Sequence, residues 1–354
     1  MSEPSLTLIA IVKNEAWNLA SVLRSAKPHI DAWCIMDTGS TDGTQDVIRA
    51  ELSDVPGDLI EEPFVDHSTT RNRLIQAAHE RFHNSFVLLM AGTEILVGGE
   101  KLRSAMRARQ VAYSIEMRRG NLVYPLNRVF DPRAGWHFVG RTHEVLLGPP
   151  VIAPRVAGCH ILYGGGKNKH ASWLKDLELL ALDMLEKPQD GRPFYYYAQT
   201  LMCLGRDAEA LAAFRKRLVM GGWYEERYVS SLYAGRLAVK LGLDPLPFWR
   251  QACEIDPARA EAFFELSQYH HSHEAFLESY LLAKEAGRKT LSADKLFVEP
   301  DIYRWKAPDL VATHAYRFGE FTEGEAAARL ALEANPQDGR LSDNLAWYRA
   351  KIRA

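Results

Sequence analysis

One stretch decides the fold of the N-terminal half of the chain: Leu6-Thr-Leu-Ile-Ala-Ile-Val12. A short run that is almost wholly apolar, without alternation, is typical of a strand buried on both faces of a parallel sheet. Apolar residues then recur at helical spacing from Glu15 to Ala26. The sequence therefore begins with a strand followed by a helix.

The same pattern continues along the chain. Apolar runs predict further strands at Trp33–Met36 and Phe86–Met90, and helices are predicted over Thr44–Glu51 and Thr69–Arg81. This alternation predicts an α/β domain of Rossmann-like type, with an open parallel sheet and helices on both faces.

Polar residues follow two of these strands, where ligands of such sheets bind. Lys13-Asn-Glu15 ends the first strand and Asp37-Thr-Gly-Ser-Thr-Asp42 ends the second. A carboxylate there can accept a hydrogen bond from a base or a ribose, and glycine lets the backbone approach a ligand closely. Asp37 and Ser40 are equally suited to forming a turn that caps a helix. The spacing does not decide between the two.

From about residue 170 the pattern becomes helical throughout. Tyr197–Gly205 and His314–Gly319 each predict a helix, a tight glycine turn and a second helix. Prolines that end helices recur at positions 188, 257 and 336, and the first interval of 69 residues is about twice the 34-residue tetratricopeptide period. The longer second interval indicates an insertion near 289–308.

We therefore predict a sheet domain over residues 1–168 and an all-α tetratricopeptide-like repeat domain over residues 169–354, with an irregular helical bundle as the alternative. A chain of 354 residues has room for both domains. The formal net charge of -2 argues against a polyanion-binding protein as a whole.

The four cysteines form no CxxC pair, which argues against a zinc site or a disulfide framework and favours buried, inert thiols. The apolar run at Leu6–Val12 is shorter than a membrane span, and no basic region precedes it. We expect a cytoplasmic protein with no membrane partner.

Several motifs together resemble the opening motifs of family 2 glycosyltransferases. They are Ile11-Val-Lys-Asn-Glu15, Asp37–Asp42 and Asp66-His-Ser-Thr-Thr-Arg-Asn72, followed by Asn127–Phe130, Gly140-Arg-Thr-His-Glu144, His160 and Leu177–Leu218. The branch that they resemble carries C-terminal tetratricopeptide repeats and includes the sublancin-type peptide S-glycosyltransferases. The resemblance implies a GT-A fold, a nucleotide-diphosphate sugar donor (usually a UDP-sugar) and inverting transfer.

The resemblance also implies roles for individual residues. Glu15 and Asp37 would hold the uracil and the ribose, and Arg71 would support the pocket. The acceptor would lie near His143-Glu144, where the Glu144 carboxylate would take its proton; pairing with Arg141 or Arg128 is the alternative. The predicted nucleotide-sugar contacts are Val12, Asn14, Glu15, Asp37, Gly39, Arg71, Gly92, Thr93, Arg141, Lys167 and Lys169.

One departure from the family pattern concerns the metal. Such enzymes usually follow the third strand with a D-x-D motif whose carboxylates hold Mg²⁺ or Mn²⁺, but Ala91-Gly-Thr-Glu94 stands here. Hard divalent cations need oxygen ligands. Only Glu94 remains, together with His160, which matches a family metal ligand in position. Metal dependence is therefore an open question.

Basic residues offer another way to neutralise a diphosphate. Nine lie between Lys101 and Arg141, opposed by two acidic residues. For those on Lys101–Arg109 a solvated helix face is the simpler interpretation. Arg128, Arg141, Lys167 and Lys169 are candidates for the diphosphate, the lysines on the glycine-rich loop Gly164–Lys169.

The acceptor is expected to be a peptide or protein side chain, a glycan, or a hydroxymethylated DNA base bound by the basic surplus. Two alternatives belong to other classes. One is a nucleotide-sugar-binding pseudoenzyme or repeat scaffold, because the D-x-D motif is missing. The other is a homo-oligomer that assembles through the repeats and carries a vestigial N-terminal domain.

Overall fold

The structure is a computed structural model that describes residues 4–120, 122–164, 169–294 and 296–353. The chain divides into two compact units, Met1–Lys175 and Asp176–Ala354. The division falls within helix α5, so the first turns of this helix belong to the first unit.

The first unit is built on an α/β sheet. Its strands are β1 (Ser5–Val12), β2 (Ala32–Asp37), β3 (Gly57–Glu61), β4 (Ser85–Ala91), β5 (Glu94–Val97), β6 (Ala112–Arg119), β7 (Leu122–Phe130), β8 (His137–Val139), β9 (Val145–Leu147) and β10 (Arg155–Tyr163). Its helices are α1 (Ala16–Ala26), α2 (Thr44–Glu51), α3 (His67–Arg81) and α4 (Gly99–Met106), followed by the start of α5 (Lys169–Glu186). The strands and helices predicted from the apolar pattern are confirmed.

The main sheet has the strand order β3-β2-β1-β4-β7-β6-β10-β5, and β8 pairs with β9 separately. β3, β2, β1 and β4 run parallel, but β7 is antiparallel to β4 and β5 is antiparallel to β10. The expectation of a purely parallel sheet is therefore wrong for the second half. In the parallel half, Val12 pairs with Asp37 and Ile11 with Ala91, so the loops after β1, β2 and β4 meet at one edge.

Helices cover both faces of this sheet, as predicted. Leu6, Leu8 and Ala10 of β1 pack in one cluster with side chains of α1, α2 and α4. Ile9 points to the other face and packs in a second cluster with side chains of α3 and of the β8 strand. Alternate residues of one strand thus enter two cores, which explains why β1 is apolar almost throughout.

The second unit consists of successive packed helices. They are α6 (Gly191–Cys203), α7 (Asp207–Leu218), α8 (Tyr224–Lys240), α9 (Leu246–Ile255), α10 (Glu261–Ser272), α11 (Phe276–Gly287), α12 (Ala307–Ala315), α13 (Phe321–Ala334) and α14 (Gly339–Arg353). Each packs against the next along the chain. This arrangement is that of a tetratricopeptide-like array of helix pairs.

Details of the array confirm the sequence predictions. Gly205 between α6 and α7 and Gly319 between α12 and α13 have φ of 73° and 74°, as tight glycine turns require. The three prolines lie just beyond the ends of α5, α9 and α13. The predicted insertion matches the irregular residues 288–294 and 296–299 and the π-helix Ile302–Lys306 before α12.

The burial of the aromatic and cysteine side chains varies from residue to residue. Phe194 and Tyr195 are buried in the helical unit and so serve packing. Cys34 and Cys159 are buried, but Cys203 is exposed, so the prediction of a buried thiol is wrong there. Burial raises the pKa of Cys34 to about 11 and that of Cys159 to about 12. Among the described residues, no helix is both long and apolar enough to cross a bilayer.

Candidate functional site

The loop after β1 is tied to the loop after β2 by Asn14. The Asn14 backbone N–H donates to Ser40 Oγ at 2.8 Å, and Asn14 Oδ1 accepts from the Thr41 N–H at 2.8 Å. Asn14 itself has a φ of 54°, a conformation that asparagine tolerates better than most residues. The next residue, Glu15, precedes α1, and its N–H donates to Thr44 Oγ1 at 2.8 Å. Asn14 thus braces the two loops around Glu15.

Asp37 ends β2 and is 1% exposed. Its Oδ1 accepts from the N–H groups of Gly39 and Ser40 at 2.8 and 2.7 Å, which is the turn-forming role. Its Oδ2 is buried and has no hydrogen-bond partner among the described residues. A buried carboxylate oxygen without a donor is costly and calls for an explanation, such as a ligand. The carbonyl of Val12 is already taken by the N–H and hydroxyl of Thr38.

The loop after β4 lies against Glu15. A Cβ added at Gly92 would come within 2.9 Å of Glu15 Cγ, so any larger residue there would force the Glu15 side chain to move. The carbonyl of Thr93 accepts from the Gly164 N–H at 2.9 Å, which fixes the start of the glycine-rich loop at the same edge. Lys167 lies outside the described residues. Lys169 is exposed at the start of α5.

Helix α3 carries the third motif, and its residues have distinct roles. Asp66 caps the helix by accepting from the Thr69 N–H at 2.7 Å. Asn72 exchanges two hydrogen bonds with the backbone of Phe138, at 2.9 and 2.7 Å, and so holds β8 on the helix. Between them, Arg71 forms an ion pair with Glu144 and lies 5.0 Å from the centre of the Phe138 ring.

Arg71 lies in a crowded charged environment. Burial, followed by the nearby charge of Arg128, lowers the pKa of Arg71 to about 10, while Glu94 acts in the opposite direction. At neutral pH Arg71 is therefore still charged. Arg128 in turn donates to Glu94 Oε1 at 2.8 Å and to the Leu89 carbonyl at 3.4 Å. The two arginines and the two glutamates form one cluster at the carboxyl edge of β4.

The predicted catalytic residues lie in the loop between β8 and β9. His143 is exposed with a φ of 49°, and Glu144 is partly buried against Arg71. The carbonyl of Arg141 accepts from the His67 N–H at 2.9 Å, so this loop is fixed to the start of α3. The sequence suggested Arg141 or Arg128 as the ion-pair partner of Glu144. In the structure Glu144 pairs with Arg71.

The structure does not bring the two proposed metal ligands together. In the antiparallel β5–β10 pair, Glu94 lies opposite Tyr163 whereas His160 lies opposite Val97. Three residues of strand separate them by about 10 Å and place them on opposite faces. Burial, and then the charge of Arg118, lowers the pKa of His160. No group of three His, Cys, Asp or Glu side chains within the described ranges could hold a metal ion.

The basic surplus is spread over the sheet domain and does not form one face. Arg103 pairs with Asp31 at 2.9 Å and contacts the Pro4 carbonyl, at the amino edge of β1. Arg128 lies at the opposite, carboxyl edge. Several other members are paired with nearby acids, including Arg118 with Glu116 and Arg133 with Asp131. The residues of this surplus therefore lie at more than one edge of the sheet.

The chain thus combines an α/β sheet unit, with polar residues gathered at its strand ends, and a helical repeat unit. The chain is 23% identical over 231 residues to the SPbeta prophage-derived glycosyltransferase SunS of Bacillus subtilis strain 168, and equally to glycosyltransferase SunS of Bacillus phage SPbeta. The match covers 61% of this chain and 53% of each relative, so it spans about half their length. No family model matches the chain.

Solved structures align with about half of the chain. The C-terminal part of a tetratricopeptide-repeat-containing protein from Cytophaga hutchinsonii aligns with 51% of this chain and 67% of its own, at 14% identity and a TM-score of 0.40. A crystal structure of MamA aligns with 48% of this chain and 92% of its own, at 13% identity and a TM-score of 0.37.

Proposed function

We propose that this chain is an inverting glycosyltransferase of the family 2, GT-A type, which moves a hexose from a UDP-sugar to an acceptor. The distant similarity to SunS supports the general class of reaction. The observation that carries the donor assignment is Asp37, whose Oδ2 is an unmet acceptor at the carboxyl end of β2. Ligands of open α/β sheets bind at this edge.

The proposed pocket has a consistent division of roles. Asp37 Oδ2 accepts a hydrogen bond from the uracil or the ribose, and Glu15 lies against Gly92 on the neighbouring loop. Because Asp37 is only 1% exposed, the Gly39–Ser40 turn shifts slightly when the nucleotide enters. Gly164, whose N–H donates to the Thr93 carbonyl at this edge, begins the glycine-rich loop that is proposed to contact the diphosphate.

In the proposed reaction the acceptor hydroxyl or thiol attacks the anomeric carbon from the face opposite the diphosphate. The bond from this carbon to the phosphate oxygen breaks, the electron pair leaves with the diphosphate, and Glu144 takes the acceptor proton. Arg71 orients the Glu144 carboxylate through their ion pair. The acceptor is a peptide or protein side chain, a glycan or a hydroxymethylated base.

The Arg71–Glu144 pair also favours a second candidate. Protonating Glu144 would break the ion pair and leave the partly buried Arg71 without its counter-charge, which disfavours proton transfer. The second candidate is a protein that binds the nucleotide sugar without transferring it. The two candidates share the donor pocket and differ only in turnover.

The test of the donor pocket is thermal unfolding in UDP, UDP-glucose, UDP-N-acetylglucosamine and GDP-mannose. A ligand that binds only the folded state raises the unfolding temperature, by about 4 °C or more at a hundredfold excess over Kd. Asp37→Asn should abolish the shift, because an amide N–H₂ replaces the acceptor Oδ2. Asp46→Asn, on the exposed side of α2, is the matched control. A wild-type protein that none of these ligands stabilises would end the proposal.

Turnover separates the two candidates. UDP release is followed with a peptide library, oligosaccharides and a duplex containing hydroxymethylated pyrimidines. Acceptor-dependent release identifies a transferase and its acceptor class, whereas tight donor binding without any release identifies the binding protein.

A further inference from the structure

The segment Ala91-Gly-Thr-Glu94 does not fit a divalent cation. Both carboxylate oxygens of Glu94 are taken: Oε2 accepts from the Ala91 N–H at 2.7 Å, and Oε1 accepts from Arg128 at 2.8 Å. The Glu94 side chain is 3% exposed, and Ala91 has no side-chain oxygen. A hard cation prefers several oxygen ligands, and here a guanidinium already holds the single carboxylate.

Arg128 is placed where such a cation would act. It lies on β7, next to β4 in the sheet, and its guanidinium reaches the Leu89 carbonyl near the end of β4. The Arg128 side chain is 13% exposed, and its Nε is buried without a hydrogen-bond partner among the described residues. A guanidinium has five N–H donors, so this one keeps donors for a further anion.

The charge balance agrees with this placement. Two aspartates and one divalent cation are formally neutral together, and so are Glu94 and Arg128. Arg71, whose pKa is lowered by burial and then by the Arg128 charge, is a second cation at this edge. Guanidinium groups suit phosphate oxygens because their planar N–H forks match the geometry.

We propose that Arg128, held in place by Glu94, takes the role that a divalent cation has at a D-x-D motif, by donating hydrogen bonds to the diphosphate of the donor. Nucleotide binding is then independent of metal. When the bond from the sugar to the phosphate oxygen breaks, the Arg128 charge offsets the charge that builds on the diphosphate. This inference rests on the proposed function, because it needs a nucleotide-diphosphate donor.

The test is the Kd of UDP measured by titration calorimetry, in EDTA and in Mn²⁺. The wild-type protein is expected to bind UDP equally well in both. Arg128→Gln is expected to weaken UDP binding about 10-fold or more in both, as loss of charge-assisted hydrogen bonds predicts. Arg133→Gln is the matched control, since Arg133 pairs with Asp131 far from this edge.

Uridine, followed by ligand-observed NMR, distinguishes a phosphate contact from a damaged pocket. It has no phosphate, so Arg128→Gln should leave its affinity unchanged. If the single variant fails to fold because Glu94 is left unpaired, Glu94→Gln combined with Arg128→Gln removes both charges together, and the same loss of UDP with retained uridine is expected.

Two results would overturn the inference: UDP binding by the wild-type protein that disappears in EDTA, or Arg128→Gln that binds UDP as tightly as wild type. Failure of the wild-type protein to bind UDP or any nucleotide sugar in either buffer is a different result, which removes the proposed function itself.

Discussion

Arg71 and Glu144 lie 73 residues apart in the chain and form an ion pair at the carboxyl edge of the sheet. The pair fastens the loop between β8 and β9 to α3, beside the two Asn72 hydrogen bonds to Phe138. The predicted acceptor loop is therefore held by the motif predicted to serve the nucleotide. Helix α3 therefore connects the predicted nucleotide side of the candidate site with its predicted acceptor side.

The first prediction concerns Glu144→Gln. The change leaves the mostly buried Arg71 guanidinium without its counter-charge, and we expect a loss of about 1–3 kcal/mol in the free energy of unfolding, less than for a fully buried pair. If Glu144 is also the base, transfer is lost while the Kd of UDP stays within about twofold. Urea unfolding, UDP titration and UDP release measure the three quantities.

The double variant Arg71→Met with Glu144→Gln separates structure from catalysis. Removing both charges should recover much of the lost stability, whereas transfer should stay absent because no base returns. Full transfer activity in Glu144→Gln would contradict the catalytic role, and an unchanged unfolding free energy would contradict the structural one.

The sequence predicted β1, β2 and β4 because both faces of these strands are buried, which leaves an apolar run. It did not predict β7, where Val123 and Tyr124 are 55% and 42% exposed and the apolar pattern is broken. A strand with one open face and an irregular register gives too weak a period to recognise.

The candidate site, like the sheet, could be predicted only in part. Loops that follow parallel strands are bound to meet at one edge, so Glu15 and Asp37 could be placed there from the strand pattern alone. The partners of Arg71 and Arg128 could not be predicted, because each ion pair joins residues of elements that are distant in the sequence. Asn72 was quoted as part of a motif, but its role appears only when β8 is seen lying against α3.

The second prediction concerns Gly92→Ala. The new Cβ would lie 2.9 Å from Glu15 Cγ, so the Glu15 side chain must move, while the backbone of the loop need not. We expect the affinity for UDP to fall about 5–10-fold with a change in unfolding free energy below about 1 kcal/mol. Gly221→Ala, where the added Cβ meets nothing within 4 Å, is the control. Unchanged UDP affinity in Gly92→Ala would remove Glu15 from the pocket.

The third prediction concerns the packing of the repeats. A Cβ added at Gly324 in α13 would lie 2.2 Å from the ring of Tyr348 in α14. This ring is 2% exposed, and its hydroxyl donates to the Ala312 carbonyl at 2.5 Å, so it cannot move easily. The overpacking cost exceeds the helix-propensity gain of about 1 kcal/mol, and we expect Gly324→Ala to destabilise the chain by about 1–2 kcal/mol.

Gly339→Ala, at the start of α14, is the matched control for this variant. The added methyl group meets nothing within 4 Å, so the unfolding free energy should stay the same or rise. Urea unfolding followed by far-ultraviolet circular dichroism measures both. If Gly324→Ala were as stable as Gly339→Ala, α13 and α14 would not pack as described.

The fourth prediction concerns pH and His314, which is fully buried between α10, α11 and α12. Its Nε2 lies 2.9 Å from Ser279 Oγ and 3.2 Å from His271 Nδ1. Burial, followed by the charges of His271 and Arg317, lowers the pKa of His314 from 6.5 to about 4. The folded chain therefore holds this imidazole neutral at a pH where the unfolded chain protonates it.

The sign of the effect follows from proton linkage. Between pH 6.5 and about 4 the unfolded state binds more protons at this residue, so stability falls as the pH falls, by about 3 kcal/mol at most. Below about pH 4 both states are protonated and this contribution stops changing.

His314→Asn should lower the stability at pH 7, because contacts are lost, but should flatten the decline toward pH 4. His170→Asn, at an exposed position in α5, should keep the wild-type slope. Parallel pH profiles for wild type and His314→Asn in urea unfolding would show that His314 titrates alike in both states and that its burial does not set the acid sensitivity of the repeats.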